Sequence, residues 1–215
     1  MSGNFNLKKC LRLYAVTDRS WAKRQTLLKQ IELVLSGGAT LLQLREKELN
    51  FEAFLQEAKS AKKICQKFDV PLIVNDNVEV AIYSGADGVH IGQGDMKLKE
   101  VRKFLGPSKI IGVSVHTPEE ALVAEKDGAD YLGVGSIFPT STKVDASMLS
   151  LKTLAEICKI VSVPVVAIGG INSQNISTLA NSGVVGIAVI SAIFSQRNIP
   201  LATYLLKQQV EEIFK

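Results

Sequence analysis

Eight short runs of aliphatic and β-branched residues recur along the chain, separated by longer segments with helical spacing, and this alternation constrains the fold most. The runs are Leu11–Val16, Thr40–Leu44, Leu72–Val74, Gly88–Ile91, Ile110–Val113, Tyr131–Val134, Val165–Ile168 and Gly186–Ile190. Most are too apolar to turn one face to water, which is the pattern of parallel strands covered on both sides. Amphipathic stretches lie between them, among them Leu27–Leu35, Phe51–Phe68, Pro118–Asp127 and Leu151–Ile160. Pro118, followed by Glu119 and Glu120 and preceded by Thr117 as N-cap, reads as a helix start.

The joints between helix and strand repeat as well. Gly37-Gly38-Ala39, Gly85-Ala86-Asp87, Gly128-Ala129-Asp130 and Gly183 each precede a run, where glycine can take the left-handed conformation that ends a helix. Pro71 and Pro164 mark two further strand starts. The repetition shows no break in composition, so a single domain over residues 1–215 is expected. A closed (β/α)8 TIM barrel is favoured over an open doubly wound sheet. The number of units suits closure, and no G-x-G-x-x-G follows the first strand.

Composition narrows the class of partner. A hydrophobic share of 47% and a charged share of 21% suit a globular protein with a large core. The formal charge of +4 is spread without a basic block or interleaved aromatics, which argues against nucleic acid. No run approaches the roughly eighteen apolar residues a membrane span needs. Three scattered cysteines and a polar start from Met1 to Lys9 predict reduced thiols and a cytoplasmic location. Pairing into a homo-oligomer stays open, because periodicity does not separate a buried outer helix face from a solvated one.

In a parallel barrel the C-terminal ends of the strands share one face, and active sites are built there. The second run leads into Gln43-Leu44-Arg45-Glu46-Lys47, and period-two alternation puts Gln43, Arg45 and Lys47 on one side. Arginine offers a planar fork to phosphate oxygens and lysine a mobile point charge. The third run ends Asn75-Asp76-Asn77, and the fourth leads through Gly92-Gln93-Gly94 to Asp95. Adjacent strands bring Asp76 and Asp95 together, a donor set suited to Mg2+ whose other positions go to water and phosphate. A helix cap at Asp76 and a turn at Asp95 are the plain alternatives.

The fifth run ends in Ser114, with His116 two residues on as either an acid/base or part of the next helix start. His90, inside the fourth run, reads as a packed or bridging residue. A hydroxyl-rich segment, Phe138-Pro139-Thr140-Ser141-Thr142-Lys143, follows the sixth run as either a mobile lid or a plain flexible loop. The seventh ends Gly169-Gly170-Ile171, and the eighth passes through Ile190 into Ser191. A backbone phosphate site after strands seven and eight recurs in this fold. No serine–histidine–aspartate or cysteine–histidine arrangement offers a nucleophile. Two anion sites, a metal pair and no nucleophile point to transfer between two small phosphorylated substrates, with pyrophosphate leaving.

The segments Leu13-Tyr14-Ala15-Val16-Thr17-Asp18, Gln43-Leu44-Arg45-Glu46-Lys47, Asn75-Asp76, Asp87-Gly88-Val89-His90-Ile91-Gly92-Gln93, Pro139-Thr140-Ser141-Thr142-Lys143 and Ala167-Ile168-Gly169-Gly170-Ile171 together resemble the motif set of the thiamine-phosphate synthase family, in order and over nearly the whole chain. The resemblance implies that Arg45, Lys47, Asn75 and Lys143 hold a pyrimidine diphosphate and that Asp76 and Asp95 carry Mg2+. It further implies that Gln43 and Ser114 orient the aminopyrimidine, while Thr140, Thr142, Gly170, Ile190 and Ser191 receive a thiazole phosphate. Arg45, Lys47, Ser114 and Lys143 are then the catalytic set. In the family the carbon–oxygen bond to pyrophosphate breaks first, and the thiazole nitrogen captures the resulting cation. Two positions depart from the family pattern. Gly94 stands where glutamate is usual, and no glycine stands near Leu149 or Ser150. The nearest rival is thiazole tautomerase, a sister barrel that would use His116; a non-catalytic thiazole-phosphate binder and a sugar-phosphate isomerase or epimerase are further ones.

Overall fold

All eight runs are strands, and each pairs in parallel with its neighbour in sequence until β8 returns to β1 and closes the barrel. The computed structural model describes residues 6–23, 25–140 and 148–214. In chain order the elements are α1 (Leu7–Cys10), β1 (Leu13–Val16), α2 (Leu27–Ser36), β2 (Leu41–Leu44), α3 (Phe51–Lys67), β3 (Leu72–Asn75), α4 (Val78–Tyr83), β4 (Gly88–Ile91), α5 (Leu98–Leu105), β5 (Ile110–Val115), α6 (Pro118–Lys126), β6 (Tyr131–Val134), α7 (Leu151–Ile160), β7 (Val165–Ile168), β8 (Gly186–Val189), α8 (Ser191–Phe194) and α9 (Ile199–Ile213). Single 3-10 turns at Arg19–Trp21 and Ile176–Leu179 complete the path. Among the described residues no helix is long and apolar enough to cross a membrane.

The strands are apolar on both faces because both are covered. Along β1, Leu13 and Ala15 join the layer between sheet and helices, while Tyr14 and Val16 join a second cluster that fills the barrel. Leu41, Ile73, Ile110, Tyr131, Val166 and Ala188 belong to the same interior cluster. Helix starts are capped locally: Thr26, Asn50, Asn77, Thr117, Ser150 and Asn198 each accept from a backbone N–H in their own first turn. Gly38, Gly85, Gly128 and Gly183 all take positive φ, as their positions before strands anticipate.

Five strand boundaries differ from the sequence expectation, among them the start of β2 at Leu41 and the end of β3 at Asn75, each one residue later. β1 begins at Leu13, because Leu11 ends a short N-terminal helix instead of opening a strand. That helix, α1, is capped by Asn6 and packs Leu7 and Cys10 against the interior cluster from below. β5 runs on past Ser114 to Val115, and β8 stops at Val189, so Ile190 is the N-cap of α8.

The Gly-Ala-Asp joints carry a further device at the end of the barrel away from the mouth. Asp87 is buried, accepts from Leu72 N at 2.7 Å and binds Lys62 Nζ at 2.6 Å. Asp130 repeats the pattern, accepting from Ile111 N at 2.7 Å and pairing with Arg102 at 2.6 Å. Each aspartate thus ties the start of its own strand to the start of the previous one. Asp87→Ala leaves the Lys62 ammonium and the Leu72 N–H without their acceptor, and should cost about 3–5 kcal/mol. Urea unfolding checks this; a loss below 1 kcal/mol would show that water replaces the carboxylate.

Candidate active site

At the C-terminal end of the strands the barrel opens into a cavity of about 460 Å3. Its wall holds Gln43, Arg45 and Lys47 from β2 and its extension, and Asn75 and Asp76 from the end of β3. Asp95, Ser114, Thr140, Gly170, Ile190 and Ser191 complete the set of described residues that sequence reasoning assigned to the site. Thr142 and Lys143 lie outside the described residues. The period-two alternation continues beyond the formal end of β2: Gln43, Arg45 and Lys47 all reach the cavity while Leu44 is buried in the outer layer.

Glu46, the residue between the two cations, turns away and anchors them. It is buried and binds the Arg19 guanidinium at 2.6 Å, while Arg19 also reaches Glu57 at 2.7 Å. The second carboxylate oxygen of Glu46 accepts from the N–H groups of Lys47 (2.8 Å) and Glu48 (2.9 Å). Burial pushes this carboxyl up, but the Arg19 bond and the two N–H donors outweigh it and leave its pKa lowered. The brace is therefore intact above the ordinary glutamate range and lost as pH falls through the lowered value. Glu46→Ala should speed amide exchange at Lys47 and Glu48 by about tenfold or more, because two N–H groups lose their acceptor. Unchanged protection would remove Glu46 from this role.

Arg45 is set by Thr17, whose buried hydroxyl accepts from Arg45 N at 2.9 Å, and its guanidinium lies 3.6 Å from Asp18. Across the mouth Lys47 Nζ binds Asp76 Oδ2 at 2.5 Å. Asp76 has φ of 62°, and the helix that follows is capped by Asn77 instead, so the plain role of helix cap does not fall to Asp76. Asp95 holds its turn by accepting from Gly92 N at 2.7 Å, and the Asp76 carboxylate is near enough to act on its carboxyl. Burial and the Asp76 carboxylate push the Asp95 carboxyl up, against the Gly92 N–H, which draws it down. Two carboxyls that repel each other beside a cavity are a ready pair for a cation. A Cβ at Gly94 would meet nothing within 4 Å, so the departure there leaves open space beside Asp95.

The opposite wall is backbone. Gly169 and Gly170 take φ of 101° and 64°, and a Cβ at Gly170 would stand 2.5 Å from Pro139 O. Only glycine fits between the β6 and β7 loops there. Ser191 opens α8 beside it, and the first N–H groups of a helix lack carbonyl partners within that helix. Near the other departure, Leu149 is buried and donates to Ser136 O at 2.7 Å, and Ser150 caps α7.

His116 lines the cavity, yet its backbone N–H donates to Glu120 Oε2 at 2.7 Å and its ring lies 3.4 Å from the same oxygen, which favours a place in the start of α6. His90 bridges Tyr131 and Ser114, as the sequence suggested. No cysteine lines the cavity, and burial pushes the Cys65 and Cys158 thiols up to about 12 and about 11. Sequence reasoning missed Arg19, Glu46 and Glu57. The only available signal was the lone acid between Arg45 and Lys47.

Comparison with known proteins agrees with this architecture. A family model described as thiamine monophosphate synthase matches residues 13–193. The thiamine-phosphate synthase of Ruminiclostridium cellulolyticum is 50% identical over 187 residues, covering 87% of this chain and 89% of that one. That of Clostridium acetobutylicum is 52% identical over 188 residues, covering 87% and 89%. The solved thiamine phosphate pyrophosphorylase of Pyrococcus furiosus superposes with a TM-score of 0.90 at 40% identity, over 98% of this chain and 100% of that one. A barrel whose mouth carries these side chains, matched over this length, belongs to the thiamine monophosphate synthase family.

Proposed function

We propose that this barrel joins 4-amino-2-methyl-5-hydroxymethylpyrimidine diphosphate to 4-methyl-5-(2-hydroxyethyl)thiazole phosphate, giving thiamine phosphate and pyrophosphate. The observation that carries the reading is one cavity with two unlike anion walls. One is cationic and acidic, from Arg45, Lys47, Asp76 and Asp95; the other is glycine backbone at Gly169 and Gly170. The first wall suits a diphosphate with its metal, the second a monophosphate.

Arg45, Lys47 and Asn75 grip the diphosphate, with Lys143 from outside the described residues. Gln43 and Ser114 hold the aminopyrimidine ring. Thr140, Gly170, Ile190 and Ser191, with Thr142, take the thiazole phosphate. The bond between methylene carbon and diphosphate oxygen breaks, its electron pair leaving with pyrophosphate. The thiazole nitrogen then donates its lone pair to that carbon. Asp76 and Asp95 fit Mg2+, which when bound neutralises charge on the departing group. Cations preset at the mouth stabilise the same charge, and the walls align the partner. No protein base is required.

We read the chain as one cytoplasmic domain acting on small molecules. The test is pyrophosphate release from both substrates and Mg2+, omitting each in turn. Release that needs all three, with thiamine phosphate formed in step, is the expected result. Thiazole-phosphate tautomerisation without pyrophosphate release would replace this reading with the tautomerase.

A further inference from the structure

Beneath the cavity a chain of hydrogen bonds crosses the barrel interior from β2 to β5. Gln43 Nε2 donates to Tyr14 Oη at 2.6 Å, and the Tyr14 and Tyr131 hydroxyls are 2.8 Å apart. Tyr131 Oη lies 2.9 Å from His90 Nδ1, and His90 Nε2 lies 2.9 Å from Ser114 Oγ. The site is built to hold it. Both phenols are buried, and a Cβ at Gly112 would fall 2.1 Å from the Tyr131 ring, so the glycine on β5 makes room for it. Burial pushes both phenol pKa values well up, and both keep their protons.

With a neutral His90, one proton order gives both buried phenol protons an acceptor within the chain. An amide nitrogen only donates, so Tyr14 accepts from Gln43 and gives its single proton to Tyr131. Tyr131 already accepts there and gives its own proton to Nδ1. The ring proton of His90 therefore sits on Nε2 and is donated to Ser114. The serine, accepting from below, keeps its hydroxyl proton for the cavity. Gln43, with an N–H engaged below, has its carbonyl Oε1 to offer. Such chains polarise along their length, so each bond strengthens the next.

We propose that this relay sets the polarity of the cavity floor, with an acceptor at Gln43 and a donor at Ser114, and that Tyr14, Tyr131 and His90 are the positioning residues that impose it. The inference rests on the reaction proposed above and adds its selectivity. A ring with an exocyclic amine beside an unprotonated ring nitrogen matches the floor. Its oxo counterpart, with a carbonyl beside a ring N–H, meets acceptor with acceptor and donor with donor.

Two measurements test it. Two-bond proton–nitrogen correlation on 15N-histidine protein reads the tautomer of His90, with His116→Asn assigning the other of the two histidines. The Nε2–H form is expected in the wild type, and the Nδ1–H form would overturn the relay without touching the proposed reaction. Tyr131→Phe breaks the order, so the preference for the 4-amino over the 4-oxo pyrimidine diphosphate should fall about tenfold, mainly through KM of the amino substrate. Undiminished preference in a folded Tyr131→Phe would overturn the relay, whereas a wild type that turns over neither ring would sink the reaction on which it rests.

Discussion

Arg45→Ala is expected to lower kcat/KM for pyrophosphate release by about a hundredfold or more while leaving the melting temperature nearly unchanged. The guanidinium lies at the cavity wall, and the core contacts of this segment are made by Leu44 and the Glu46 brace instead. Removing one preorganised donor to a charge that grows as the bond breaks typically costs about 10²–10³ in rate. Arg45→Lys keeps the charge but loses the planar fork, and should recover only part of the loss. Steady-state pyrophosphate release beside circular dichroism melts checks both variants. An Arg45→Ala enzyme with near-normal rate at saturating substrates would move the diphosphate away from this wall.

Asp76→Asn and Asp95→Asn should each weaken the apparent affinity for Mg2+ by about a hundredfold or more. Asparagine is the right replacement at position 76, because a φ of 62° is costly for most side chains and well tolerated by asparagine. Alanine there would confuse backbone strain with the missing charge. Binding of Mn2+ followed by electron paramagnetic resonance gives a readout independent of turnover. If both variants kept wild-type metal binding, the cation would belong elsewhere in the mouth.

The alternation of apolar runs carried most of the architecture, because a strand covered on both faces leaves a run that little else in a protein produces. Strand ends could be read as a site for the same reason: the barrel puts Gln43, Asp76, Ser114 and Gly170 around one cavity once the strands are known. What stayed hidden depends on contacts between residues far apart in the chain. Tyr14 and Tyr131 are 117 positions apart, and in their own runs each looks like an ordinary packed aromatic. The tie between Arg19 and Glu46 spans 27 positions with no periodic signal. The helix α1 has only four residues, too short for any period to show.

With the interior cluster filling the barrel and α1 packed beneath it, the cavity at the C-terminal ends of the strands is a cup rather than a pipe. Everything that enters must leave past whatever is nearer the rim. On the proposed assignment, a ligand seated against Gln43 and Ser114 is expected to arrive first, and the joined product to rise from the floor only after the rim above it has cleared. Shape alone would then set the order of binding and release.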